Sequence, residues 1–120
     1  NYWADKFGLY KSTHKNHPSA VWVRESSAHY WWTCGLYVQL GLGYTKRYGK
    51  THKSMGLAPF LSISPMWINR LIWREPPQCM PDEYKSDCTV EAYRKYYNGA
   101  KARFATWKNK EAPEWFEMVQ

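Results

Sequence analysis

The stretch from Ser26 or Ser27 to Tyr48 constrains this chain most. Tyr30, Cys34, Tyr37, Tyr44 and Tyr48 recur there at spacings of three, four or seven, and Trp32, Leu36 and Leu40 form an adjoining stripe. That period belongs to an α-helix. Either serine can cap its start, because a side-chain oxygen there accepts a free N–H of the first turn. Gly49 suits the position just past the end, where a left-handed backbone closes the last turn. Lys46 and Arg47 in that turn complement the negative end of the helix dipole. Gly35, Gly41 and Gly43 each weaken such a helix by about 1 kcal/mol relative to alanine, and close approach of another helix is the expected compensation.

Around this helix the punctuation is clear. Residues 1–17 read as an extended polar entry. Pro18 suits the first position of a short helix, "PSAVWVRES", that buries Val21 and Trp22. Thr51 can cap a third helix running to Phe60 or Leu61. Residues 62–88 hold Pro65, Pro76, Pro77 and Pro81 and should be irregular, with a turn of helix around "MWINRLIW". Asp87 or Thr89 caps a last long helix, "VEAYRKYYNGAKARFATWK", with Val90, Tyr93, Tyr97, Ala100, Phe104 and Trp107 on its apolar face. "APEWFEM" reads as a short closing helix that docks Trp115 and Phe116. The expected fold is therefore all-α: a compact single-domain helical bundle over residues 1–120 with a long Pro-rich irregular connection. A chain of 120 residues is long enough to bury a core without metals or disulfides.

Charge says what such a domain meets. The net charge of +7 is uneven: residues 1–58 carry eight Lys/Arg against Asp5 and Glu25, whereas residues 59–88 are net negative by one. A concentrated basic excess suits a surface facing a polyanion. Aromatics form 18% of the chain, and Tyr and Trp pair large apolar area with a polar tip useful in recognition. No apolar run approaches the ~20 residues of a membrane span, so no membrane partner is expected. Cys34, Cys79 and Cys88 cannot all pair and form no CxxC, which suggests reduced thiols in a cytoplasmic setting. The start is too polar for a signal peptide, and a chain opening at Asn1 without Met suggests a processed or truncated product.

Few constellations carry chemistry. His14 and His17 lie three apart but need further ligands such as Cys79, Cys88 or His52, and backbone hydrogen bonding ahead of a helix explains them more simply, so no metal and no cofactor is expected. Asp82, Glu83 and Asp87 in "MPDEYKSD" suit turn and cap roles better than paired acid/base work. Glu25 beside Arg24 sits in a basic neighbourhood that favours its ionised form. GxSxG, HExxH, Walker A and GxGxxG are all absent, which removes the common hydrolase, metalloprotease, NTPase and dinucleotide classes.

Two stretches interleave bases with aromatics. "YTKRYGKTHK" holds Lys46, Arg47, Lys50 and Lys53 with Tyr44, Tyr48 and His52. "YRKYYNGAK" holds Arg94, Lys95 and Lys101 with Tyr93, Tyr96 and Tyr97. Lys and Arg neutralise phosphates, and an exposed Tyr can stack on an unstacked base. DNA is the most favoured partner, and a host protein is the alternative.

"KNHPSAVWVRE", a Tyr-bearing helix and "YTKRYGK" together resemble the small helical pyrimidine-dimer DNA glycosylases. The matching positions are Asn16, His17 and Pro18 at the entry and Arg47, Tyr48 and Gly49 at the helix end, and "YRKYYNGAK" is similar to an aromatic-basic segment near the C-terminus of that family. Over nearly the whole chain, "THKNHPSAVWVRES", "KRYGKTHK" and "MPDEYK" also resemble segments of a group of phage proteins. The resemblance implies a DNA glycosylase/AP lyase: an amine attacks the sugar C1′, a Schiff base forms, and strand cleavage follows. It implies Lys15, Asn16, Arg24, Lys46, Arg47, Tyr48, Lys50, His52, Lys53, Arg94, Lys95 and Lys101 on the DNA side, with His17 and Glu25 near the chemistry. The family's nucleophile is an N-terminal amine with a glutamate on the first helix. The segment supplying both is expected to be missing here, although Asn1 presents an amine. A non-catalytic phage accessory or anti-defence protein is then the second expectation, and an assembly subunit with a Trp-rich contact surface the third.

Overall fold

The computed structural model describes Lys6, residues 8–107 and residues 111–117, so Asn1 and its amine lie outside the described residues. His17 Nδ1 accepts the Ser19 N–H at 3.1 Å, and Pro18 opens α1 (Pro18–Glu25), where a missing N–H removes no bond. Trp22 is the residue that α1 buries, and Val21 is half-buried. Ser26 adopts an extended conformation, φ −153° and ψ 143°, which ends α1 and starts the next helix in a single residue. Between the two candidate caps the structure selects Ser26, whose Oγ accepts the Ala28 N–H at 3.1 Å.

α2 (Ser27–Tyr48) is 22 residues long and closes at Gly49, whose φ of 69° is left-handed and whose N–H reaches the Thr45 carbonyl at 2.8 Å. One face of α2 holds the returning chain. Tyr30 donates to the Leu61 carbonyl at 2.6 Å, Tyr37 donates to the Ser54 carbonyl at 2.6 Å, and Gly41 lies against the Met55 thioether. These contacts fold a 3₁₀ turn (Lys53–Leu57) and the short α3 (Ala58–Leu61) back onto α2. The single helix expected after Thr51 is thus replaced. Its cap is His52, whose Nδ1 accepts the Ser54 N–H at 3.0 Å, and Pro59 has no N–H with which to continue an α ladder.

The chain then runs without helix or strand from Ser62 to Pro81. The helical turn expected in "MWINRLIW" does not form, because alternate residues give their backbone groups to the α1–α2 corner. Arg70 O accepts from Ser27 N–H at 2.9 Å, Ile72 N–H reaches Ser26 Oγ at 3.1 Å, and Arg74 N–H reaches His29 Nε2 at 2.9 Å. Recruitment of every second residue demands an extended strand-like path.

α4 (Thr89–Tyr96) follows a 3₁₀ turn at Asp82–Tyr84. Neither expected residue caps it. Cys88 holds that position, and the Glu75 carboxylate, far back in sequence, accepts the Thr89 N–H at 3.1 Å. The long helix expected beyond Tyr96 changes character, passing through a π turn (Tyr97–Lys101) and a 3₁₀ turn (Ala102–Phe104). Its expected apolar face is also corrected. Ala92 and Ala102 are buried, whereas Val90 and Phe104 are more than half exposed. The Asp82–Tyr84 turn packs closely on the π turn, where a Cβ on Gly99 would lie 2.8 Å from the Tyr84 ring. Trp115 and Phe116 stand 5.8 and 6.0 Å from Tyr97 by ring centroid, yet on a turn instead of the expected helix.

The result is a single all-α domain, with no strand among the described residues. Its centre is Trp22, stacked on His29 at 4.0 Å and met edge-on by Trp32 and Trp73 at 5.5 and 5.4 Å.

Candidate nucleic-acid interface

The C-terminal half of α2 and the 3₁₀ turn after it enclose a groove of about 730 Å³. Tyr37, Tyr44, Arg47, Tyr48, His52 and Met55 are among the residues that line it. Its shape arises from two local facts. Gly49 reverses the chain, and the Tyr37 hydroxyl ties the returning strand to α2 through Ser54. An added Cβ at position 41 would stand 2.1 Å from the Met55 sulfur, so the flexible thioether would have to swing aside.

The aromatic rings form a chain along the groove. Tyr44 and Tyr48 have centroids 4.7 Å apart, and His52 meets Tyr44 edge-on at 4.7 Å. Because His52 Nδ1 accepts the Ser54 N–H, the neutral ring carries its proton on Nε2. Lys46, Lys50 and Lys53 are exposed around this end, Arg47 is half-buried in the groove, and Tyr48 is 48% exposed. No Asp or Glu occurs between Glu25 and Glu75, so no acid of that stretch offsets these cations. Lys46, Arg47, Tyr48, Lys50, His52 and Lys53 are therefore brought together.

The other expected site residues are held elsewhere. Lys15 and Asn16 lie exposed in the turn ahead of α1, and the Arg24 guanidinium donates to the Lys15 carbonyl. About 30 Å of helix separates the start of α2, next to Arg24, from Lys46. Arg94 lies over the Trp115 ring at 5.6 Å, Lys95 donates to the Glu83 carbonyl at 3.1 Å, and Lys101 lies over Tyr96 at 5.4 Å. These three bases are engaged with aromatics and backbone of their own neighbourhood.

His17 and Glu25 stand at opposite ends of α1, roughly 12 Å apart along the axis. His17 spends Nδ1 on its cap. Glu25 pairs with the Arg74 guanidinium, whose Nε donates to it at 3.1 Å. That hydrogen bond holds the Glu25 carboxyl below its usual range, outweighing the opposing effect of desolvation, and the Arg74 guanidinium charge adds to the lowering. Asp82 is likewise lowered by its 2.8 Å pair with Lys85. Among the described residues no group of three His, Cys, Asp or Glu is placed to hold a metal ion. No described helix is long and apolar enough to cross a membrane.

Sequence reasoning missed Tyr37, Ser54 and Met55 as builders of the groove. The signal was present: Gly41, one helical turn beyond Tyr37, is where a side chain from outside the helix can enter. It also missed His29, which is fully buried between Trp22 and the connection. Comparison with known protein families, curated proteins and solved structures returns no match.

Proposed function

We propose that this chain binds DNA through the basic, aromatic end of α2. The observation that carries the reading is a groove lined by Tyr44, Arg47, Tyr48 and His52, with the exposed Lys46, Lys50 and Lys53 next to these residues in the chain. Cations at the rim suit phosphates, and an aromatic groove with a polar mouth suits an unstacked base. Lys50 and Lys53 support it most, since both lie beyond the helix cap and neither is needed to satisfy the dipole of α2.

The glycosylase/AP-lyase form of this proposal rests on the sequence resemblance. Glu25 and His17 are poor candidates for its acid/base work, one being paired with Arg74 and the other serving as a cap. The non-catalytic alternative, an accessory protein acting on nucleic acid or on a host protein, is favoured by that engagement.

The test is borohydride trapping on duplex DNA containing an abasic site, beside a binding titration at two salt concentrations. A trapped adduct supports lyase chemistry. Salt-sensitive binding with no adduct supports DNA binding alone. Absence of both overturns the proposal.

A further inference from the structure

We infer that the groove beside α2 takes an unpaired DNA strand in preference to duplex, with one base stacked on Tyr48. This rests on the DNA-binding reading above and names the form of DNA that the same site fits.

The lining decides the form. Leu36, Leu40, Gly41 and Met55 line the groove together with the aromatic rings, so its inner surface is mostly apolar. Leu36 and Leu40 are 42% and 65% exposed. A phosphate set against such a surface loses its water and gains no partner, at a net cost. Duplex DNA turns its phosphates outward and keeps the faces of its bases inside the stack. It therefore meets an apolar groove with its least suitable groups. An unpaired strand can turn its bases inward and leave its phosphates to cations outside. Arg47 lines the same groove, and Lys46, Lys50 and Lys53 are exposed beside it in the chain, with no acid between Glu25 and Glu75 to oppose them.

Size agrees with this form. A volume of about 730 Å³ falls in the range of roughly 300–1,000 Å³ that encloses a small ligand, which suits one or two nucleosides and excludes a duplex. The lining runs along α2 from Thr33 to Tyr48, about 22 Å of helix, the reach of a few nucleotides.

The spacing of the rings then selects the stacking surface. Stacked bases lie about 3.4 Å apart, so a base inserted between two rings needs them roughly 7 Å apart. Tyr44 is 4.7 Å from Tyr48 and 4.7 Å from His52 by centroid, which leaves no slot on either side of it. A base must stack at an end of the row instead. His52 is one end, with a small ring held by its bond to the Ser54 N–H. Tyr48 is the other, a larger ring with nearly half its surface exposed. Tyr48 is thus the better platform.

The test is fluorescence anisotropy with one short labelled oligodeoxynucleotide, single-stranded and annealed to its complement, at one salt concentration. The single strand should bind about tenfold tighter or more. Tyr48→Ala should bring the single strand down to the duplex level and erase the preference, with the helical circular dichroism as the check on folding. Tyr48→Phe keeps the ring and should keep the preference. Equal affinity of the parent chain for the two forms overturns the inference while DNA binding stands. A single-strand preference that Tyr48→Ala leaves intact does the same. Failure to bind either form overturns both this inference and the DNA-binding reading.

Discussion

Arg74 donates its backbone N–H to Nε2 of His29 at 2.9 Å, and this fixes the imidazole proton on Nδ1, 2.7 Å from the Trp22 carbonyl. One neutral side chain thereby joins α1, α2 and the connection. His29→Leu preserves bulk but leaves a buried carbonyl and a partly buried N–H unpaired, so urea unfolding should show a loss of about 2–4 kcal/mol. Arg74→Ala keeps the backbone N–H and removes only the exposed pair with Glu25, so its loss should be clearly smaller. Equal losses would mean that the ion pair, and not the histidine, holds the connection.

Lys50→Glu combined with Lys53→Glu tests the DNA surface. Both residues are exposed and lie past the end of α2, so the melting temperature should hardly change. Affinity for duplex DNA should fall, and the slope of log affinity against log salt should drop by about two units, one for each lost phosphate contact. Anisotropy titrations at several salt concentrations read both quantities. An unchanged slope would place the DNA elsewhere on the molecule.

The floor of the groove makes a reciprocal prediction. Gly41→Ala should raise helix propensity by about 1 kcal/mol, yet its Cβ would collide with the Met55 thioether. The thioether is the flexible end of its side chain and has to swing aside, so the net stability gain should fall short of that full amount. Met55→Ala in the same chain makes room. A double-mutant cycle should therefore give a favourable coupling on the order of 1 kcal/mol. Additive effects would show that the groove tolerates a wider separation of its walls.

Local rules made α1 and α2 legible in sequence. Pro18, Ser26 and Gly49 are punctuation whose physics is complete within four residues, and the 3.6-residue period needs no distant partner. What the sequence hid depends on long-range hydrogen bonding. "MWINRLIW" has helical spacing, but Ser26 and Ser27 capture its backbone, and His29 that of Arg74 just after it, from more than forty positions away. Glu75 caps α4 from fourteen positions away, where Asp87 and Thr89 were the nearer candidates. The candidate site divides in the same way. The basic run after Tyr44 is contiguous and was legible, whereas its groove required knowledge that Tyr37 reaches Ser54 and that Met55 fills Gly41.

Tyr30 and Glu25 predict opposite pH dependences that bracket the stable range. Burial pushes the Tyr30 phenol up from its ordinary 10.0 to about 12, with Cys34 beside it contributing in the same direction. The neutral hydroxyl is the form that donates to the Leu61 carbonyl. Its folded-state value is raised, so its contribution to stability is complete below about pH 10 and is lost as pH rises from there through 12. The Glu25 value is depressed below 4.5 by Arg74, so that contribution is complete above about pH 4.5 and is lost as pH falls through the lowered value. Asp82 is depressed in the same acid window by Lys85, so the Glu25 part must be read as a difference. Urea midpoints should therefore fall at both extremes. Tyr30→Phe should flatten the alkaline limb alone, and Glu25→Gln should flatten part of the acid limb alone. An alkaline limb unchanged in Tyr30→Phe would assign that loss of stability to another tyrosine or to the lysines, and would remove the Tyr30–Leu61 bond as the anchor of α3.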